Sequence, residues 1–162
     1  MKGFKRMKTY GTELVKVNAE DIDSYGTFAF PKKITTIGCN AFANCLQLSN
    51  IVIPKQIIAV NHSAFFGCSE LHSVMFENEY CEIDICAFFG CEKLEHIILP
   101  KRLSALSASM FAECFWLREI DIPNTVNKIG LCPFEFCVNL NKINWRGHRY
   151  TYNDLLEYIS FF

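Results

Sequence analysis

Apolar and polar positions repeat every 23 residues between positions 42 and 145. Each unit contains a run of the form Leu-x-x-Ile-x-Ile, of which Leu48, Ile51 and Ile53 are one example. The two Ile positions at its end lie at alternate residues, which is typical of a strand with one buried face. Pro54 follows at once and ends the strand, because proline has no N–H to donate to a ladder. The pattern therefore predicts one short strand per unit.

A second apolar run follows in each unit, as in Ile57-x-x-Val60, and predicts a return strand on the opposite wall. A corner then comes at residues that tolerate turn geometry. These are Gly38, Asn61, Asp84, Ser107 and Gly130. Asn, Ser and Cys residues follow, and the Asn and Ser members favour a helix N-cap before a short helical turn. They are Asn40, Ser63, Cys86, Ser109 and Cys132. Each coil has open apolar edges, so it needs a neighbour above and below.

Five of the nine cysteines occupy one position of the repeat. They are Cys45, Cys68, Cys91, Cys114 and Cys137. We expect a buried file of thiols that act as small apolar fillers. An odd count and a reducing compartment argue against disulfides. A zinc site from Cys81, Cys86 and Cys91 lacks any Cys-x-x-Cys pair, and we expect neither metal nor cofactor.

These columns resemble the leucine-rich repeat in its 23-residue BspA-like variety, whose pattern is roughly Ala-Phe-x-x-Cys-x-x-Leu-x-x-Ile-x-Ile-Pro. Local departures are Glu77 in place of Pro, and Met110 and Pro133 in place of Ala. The resemblance implies an α/β repeat solenoid, a right-handed superhelix with a concave parallel β-sheet. Short strands and helical turns would form the convex side, and a C-terminal helix would cap the end.

We predict a single domain with three parts. Residues 1–24 form an N-terminal cap region, 25–145 hold about six repeats, and 146–162 form a C-terminal cap. The first repeat, from Tyr25, is degenerate. Segment 13–17 is expected to be a covering strand and residues 1–9 a loose end. Residues 143–150 read as a strand, a turn and a second extended piece.

The C-terminal tail 151–162 predicts a helix. Thr151 followed by Asp154 resembles a capping box with a shorter acid. Leu155, Ile159 and Phe162 would share one helical face. We interpret this helix as a cap on the last coil. The alternative is a helix that docks on another chain.

Composition narrows the choice of partner. The chain has 162 residues, 16 Lys and Arg, and 17 Asp and Glu. A dedicated nucleic-acid binder would usually have a basic surplus, so we expect no nucleic-acid partner. The N-terminus lacks the apolar run of a signal peptide, and no stretch approaches the roughly 20 apolar residues of a membrane span. These absences predict a cytoplasmic protein without membrane insertion.

Candidate binding residues lie in three outward columns of the predicted strands. The first column is Ala29, Val52, Met75, Ile98, Asp121 and Asn144. The second column includes His72, Glu95 and Arg118. The third column includes His96 and Glu119. The predicted protein-binding set is Val52, His72, Met75, Glu95, His96, Ile98, Arg118, Glu119 and Asp121. An exposed apolar patch rimmed by charge is a plausible partner site, although β-branched residues also simply suit strands.

Other readings of these side chains stay open. Glu95, Arg118 and Glu119 are expected to form cross-strand ion pairs. His72 and His96 could hold a metal or respond to pH, but lone exposed histidines are usually just solvated. Trp116, at a strand entrance, could be an exposed anchor for a partner.

No motif for catalysis is present: the chain lacks a Gly-rich phosphate loop, His-Glu-x-x-His and Gly-x-Ser-x-Gly. We therefore predict a non-enzymatic module that binds a protein partner through the concave sheet. The family resemblance implies an alternative, a microbial cell-surface adhesin for host or matrix proteins. A third option is self-association through a solenoid end.

Overall fold

Strands of two lengths alternate along a stack of coils in the computed structural model, which describes residues 7–159. The long strands are β4 (Asn50–Ile53), β6 (Ser73–Phe76), β8 (His96–Ile98), β10 (Glu119–Asp121) and β12 (Lys142–Trp145). The short strands are β3 (Thr36–Ile37), β5 (Ala59–Val60), β7 (Glu82–Ile83), β9 (Ala105–Leu106) and β11 (Lys128–Ile129). Both runs thus form strands in the four complete units, as predicted, whereas the degenerate first unit has only the short strand β3 among the described residues.

Neighbouring coils pair in parallel with a register of one repeat. Ile51 lies opposite Val74 in the long-strand sheet, and Ile37 lies opposite Val60 in the short-strand sheet. Alternate side chains in β4 and β6 are buried, because successive strand residues point to opposite faces. The solenoid of stacked parallel strands is confirmed.

Each sheet is interrupted once. The long strands form two groups, β4-β6-β8 and β10-β12, and no ladder joins β8 to β10 within residues 7–159. The short strands divide into β3-β5-β7 and β9-β11. Where β7 and β9 fail to pair, the Ser107 hydroxyl donates a hydrogen bond to the carbonyl oxygen of Ile83 at 2.6 Å. The coils stay in contact there, but not through a backbone ladder.

The centre of the stack contains a column of phenylalanine rings. Phe65 and Phe88 are parallel within 5°, with ring centroids 5.1 Å apart. The column continues with similar spacing at Phe42, Phe111 and Phe134. The predicted thiol file lies beside it, and all five of its cysteines are buried. Four of these thiols also donate a hydrogen bond to a Phe carbonyl of the preceding unit, so they are more than apolar fillers.

The predicted helical turns are absent: within the described chain these segments are hydrogen-bonded turns. The backbone N–H groups of Asn40, Phe42 and Asn44 donate to the next coil, which leaves them unavailable for an i to i−4 ladder. The expected N-caps are also wrong, because an N-cap has extended backbone. Asn40 has φ of 55° and Ser63 has φ of 54°, in the left-handed region.

The N-terminal coil is covered by a hairpin of β1 (Lys8–Tyr10) and β2 (Glu13–Lys16). β2 pairs in parallel with β3, which agrees with the predicted covering strand. The loose end predicted for residues 1–9 is wrong at β1, and residues 1–6 lie outside the described chain. A 3-10 turn follows at Ala19–Asp21. Tyr25 is 83% exposed, so the degenerate first coil lacks its expected apolar contact.

At the other end, β12 turns back into β13 (His148–Tyr150), and α1 (Tyr152–Ile159) follows. The Thr151 N–H donates to Asp154 Oδ2 at 2.9 Å and the Asp154 N–H donates to Thr151 Oγ1 at 3.2 Å, which are the two bonds of the predicted capping box. Leu155 is buried. The Ile159 side chain and Phe162, predicted to share its face, lie outside the described part. Within residues 7–159 no helix is long and apolar enough to cross a bilayer.

Candidate functional site

The outward side chains of the long strands form a continuous surface, which we call the long-strand face. Val52, Met75 and Ile98 occupy matching register positions on β4, β6 and β8. They are 44%, 40% and 59% exposed, respectively. A shallow groove of about 490 Å³ runs along them and reaches Phe28. The structure therefore brings the predicted apolar patch together as one stripe.

The stripe becomes polar on the last two long strands. Asp121 lies opposite Asn144 in the register. The Asn144 amide donates hydrogen bonds to Asp121 Oδ1 at 2.7 Å and Glu119 Oε1 at 3.0 Å. Lys142 Nζ contacts Glu119 Oε2 at 2.7 Å. The hydrogen bonds from Lys142 and Asn144 lower the pKa of the Glu119 carboxyl, so it is ionised at neutral pH.

The prediction of cross-strand ion pairs is confirmed for Glu119 and wrong for Glu95 and Arg118. Glu119 pairs with Lys142, because that residue lies directly opposite it on β12. Glu95 Oε2 lies 3.9 Å from His96 Nε2. Arg118 is exposed and makes no ion pair with any described residue.

The two histidines of the predicted set have different surroundings. His72 Nδ1 lies 2.7 Å from the carbonyl oxygen of Glu70, and the His72 ring makes an edge contact with Trp116 at 6.1 Å between centroids. His96 has a side chain that is 81% exposed. Over residues 7–159 no three His, Cys, Asp or Glu side chains are grouped as metal ligands.

A ladder of side chains beside the long-strand face was not expected from the sequence. Lys93 Nζ lies 2.7 Å from Glu70 Oε2 and 6.0 Å from the ring centroid of Trp116. Trp116 is 43% exposed, and its ring is nearly perpendicular to that of His72. Glu70, Lys93 and Trp116 share one repeat position, so comparison of successive units at that position could have revealed the ladder.

A wider groove of about 620 Å³ lies between β8 and β10, where the long-strand sheet is interrupted. Four of its residues come from each side of the gap. They are Glu95, His96, Ile97 and Ile98, and Arg118, Glu119, Ile120 and Asp121. Six of the nine predicted binding residues thus line one groove. The sequence placed them on one face but did not reveal the gap.

Comparison with known proteins identifies the repeat. The BspA-type leucine-rich repeat model matches residues 20–153 in six copies. This match begins inside the predicted N-terminal cap region and ends inside the C-terminal one. No curated protein matches the sequence.

Several solved structures share the fold. A leucine-rich repeat protein from T. pallidum has a TM-score of 0.69 at 21% identity, over 79% of this chain and 70% of that one. A leucine rich cell surface protein from Faecalibacterium prausnitzii has a TM-score of 0.55 at 24% identity, over 80% of this chain and 50% of that one. A Bacteroides ovatus leucine-rich repeat protein has a TM-score of 0.50 at 26% identity, over 73% and 37%. The chain thus spans half or less of the last two proteins.

The family match extends across most of the chain, and its repeats coincide with the stacked coils, the buried thiols and the parallel strands. The chain belongs to the BspA-type leucine-rich repeat family.

Proposed function

We propose that this chain is a non-enzymatic module that binds a protein partner through the long-strand face. The observation that carries the proposal is the exposed stripe of Val52, Met75 and Ile98 on three paired strands. Contiguous exposed apolar side chains with a polar rim are a common feature of protein-binding surfaces. The backbone ladder holds the stripe rigid, so little conformational entropy would be lost on binding.

The test compares two double variants with the wild-type chain. Met75→Glu/Ile98→Glu places charge on the stripe. Leu131→Glu/Val138→Glu, at residues 81% and 74% exposed near the C-terminal end of the stack, is the matched control away from the long-strand face. Partners captured from source cells should bind the stripe variant about tenfold or more weakly and the control normally. Equal binding by all three folded proteins would show that the partner does not bind the long-strand face.

Surface display is the second candidate, favoured by the likeness to a leucine rich cell surface protein. In that role the same face would bind host or matrix proteins as an adhesin. The cytoplasmic alternative is supported by the nine unpaired cysteines, which suit a reducing compartment. Fractionation of source cells separates the two, because a protein confined to the soluble interior could not act as an adhesin.

A cap role for α1 is part of the same proposal. A solenoid must cover the apolar end of its last coil. The Tyr152 ring makes an edge contact with Phe134 at 6.2 Å between centroids, and Leu155 is buried. Leu155→Asp should therefore promote self-association through the exposed end, measured as a concentration-dependent mass. A helix that instead docks on another chain would lose that partner and leave the protein monomeric.

A further inference from the structure

The gap between β8 and β10 is a specific feature of the long-strand face. Across the preceding interface the Glu95 N–H donates to the His72 carbonyl at 3.0 Å, and across the following one the Asn141 N–H donates to the Arg118 carbonyl at 3.1 Å. No equivalent bond from Arg118 to Glu95 occurs in the described chain. The Trp116 N–H donates to the Glu92 carbonyl at 2.9 Å instead. The two coils touch at the strand entrance and separate along the strands.

The separation changes the burial of the strand residues. Ile97 is only partly buried, whereas the equivalent side chains of the four other units after the degenerate one are 3% exposed or less. These are Ile51, Val74, Ile120 and Ile143. Ile97 and Ile98 therefore form an apolar wall inside the groove, and a side chain with an aliphatic stem could pack against it.

The charges on the groove favour a cation. Its lining has three carboxylates, Glu95, Glu119 and Asp121, against one permanent cation, Arg118. Lys142 already neutralises Glu119. Asp121 accepts a hydrogen bond from the neutral Asn144 amide and makes no ion pair within residues 7–159. Arg149, opposite Asn144 on β13, lines an adjoining groove with Asp121 but does not pair with it in the described chain. The groove thus offers an aliphatic wall followed by a carboxylate.

We propose that the groove receives a lysine or arginine side chain from an extended peptide segment of the partner. The inference rests on the proposed function and adds the chemistry of the partner. The aliphatic stem would lie on Ile98 and the cationic head would contact Asp121. Apolar residues of the same segment would cover Val52 and Met75.

Strand spacing predicts the sequence of that segment. Val52 and Asp121 are three coils apart, or about 14 Å at regular stacking, and the gap between β8 and β10 lengthens this distance. Alternate residues of an extended peptide lie about 6.7 Å apart, so two such steps cover about 13 Å, and the long lysine or arginine side chain covers the rest. The expected motif is apolar-x-apolar-x-basic, read in either chain direction because side chains alone do not set the polarity.

A phage-displayed library of random peptides tests this proposal and does not require that the natural partner be identified. The full chain is the bait, with Asp121→Asn as the charge variant and Met75→Glu as the stripe variant. Asp84→Asn, at an exposed corner of the short-strand side, is the matched control. Wild-type selections should enrich the motif, and isolated peptides should bind Asp121→Asn about tenfold more weakly. Asp84→Asn should bind them normally.

The possible outcomes distinguish failure of the proposed cation site in the groove from failure of the proposed function. Some peptides could lose affinity for Met75→Glu and yet show no preference for basic residues, or bind Asp121→Asn normally. That result would overturn the proposed lysine or arginine site in the groove and leave the proposed function standing. Enrichment of acidic residues also overturns it. If no selected peptide is sensitive to either variant, or none binds, both the groove and the use of the long-strand face for such segments are rejected.

Discussion

The Cys68 thiol donates a hydrogen bond to the backbone carbonyl oxygen of Phe42, 26 residues earlier, with a sulfur–oxygen distance of 3.0 Å. The same bond recurs from Cys91 to Phe65 at 3.2 Å and in the next two units. Each thiol therefore fills space in its own coil and joins it to the previous one. This double role gives a physical reason for cysteine at this repeat position.

Cys68→Ala should lower the free energy of unfolding by about 1–2 kcal/mol, because it removes a buried sulfur and one hydrogen bond between coils. Cys39→Ala, at an exposed position, is the control and should change it by less than about 0.5 kcal/mol. Urea unfolding followed by circular dichroism measures both. Equal midpoints for the two variants would contradict a structural role for the thiol file.

Alkaline pH should destabilise the protein through the same thiol. Burial raises the pKa of Cys68 to about 12, whereas an unfolded cysteine has a pKa of about 8.5. Between these values the unfolded state binds fewer protons than the folded state, so stability falls as pH rises. At about 1.4 kcal/mol per pH unit, Cys68 accounts for about 2 kcal/mol by pH 10.

The control for this pH effect is Cys68→Ala, which lacks the ionising group. Urea unfolding at pH 7 and pH 10 should show that the difference between wild type and variant shrinks by about 2 kcal/mol. A difference that is independent of pH would mean that the thiol ionises normally in the folded protein.

Thiol reagents should distinguish the exposed cysteines from the file. Burial raises the pKa of Cys137 to about 12 and that of Cys91 well above its usual value, which leaves almost no thiolate at neutral pH. Cys39 and Cys132 are exposed. Ellman's reagent at pH 8 should modify these two first, Cys86 more slowly, and the rest only after unfolding. Mass spectrometry that finds the file modified at the rate of Cys39 would contradict this.

Glu113→Gly should stabilise the protein by about 0.5–1 kcal/mol. Glu113 has φ of 61°, at the position where Gly67 and Gly90 have φ of 66° and 69°. A side chain in left-handed backbone is strained, and glycine removes that strain. Ala112→Gly, one residue earlier at a buried position without positive φ, is the control and should destabilise. Thermal unfolding with the same sign for both variants would refute the argument.

The ion pair between Glu119 and Lys142 can be tested by titration of the Glu119 carboxyl. Lys142→Met should raise the pKa of Glu119 toward its ordinary value, because it removes the largest cause of the lowered pKa. Lys93→Met, which breaks the Glu70 pair beside the long-strand face, should leave the Glu119 titration unchanged. Carbon NMR of the Glu119 carboxyl follows both variants. An unchanged titration in Lys142→Met would show that the Lys142 pair is not what lowers the pKa of Glu119.

The sequence predicted the stack well because each unit must repeat the same contacts. The 23-residue spacing of Phe42, Phe65 and their equivalents requires that matching positions lie over one another. Alternation in the long strands predicted that Val52, Met75 and Ile98 would share one outer column, and the register places them so. The capping box at Thr151 was likewise readable, since it involves residues only three apart.

Other features depend on contacts between coils that no single unit specifies. Asn40 and Ser63 resemble N-caps locally, but both residues have left-handed backbone and donate their N–H groups to the next coil. Glu119 could have paired with Arg118 by proximity in sequence, yet Lys142 lies opposite it.

The gap between β8 and β10 is the clearest case. Repeat periodicity predicts that every coil stacks like its neighbours. It does not predict the distance between two particular coils. That separation depends on the side chains that meet across the interface, including Trp116 at the strand entrance. The sequence by itself determined the repeat, its buried columns and its outward face. Only the tertiary structure decided where that face opens, because the opening results from the packing of two specific coils.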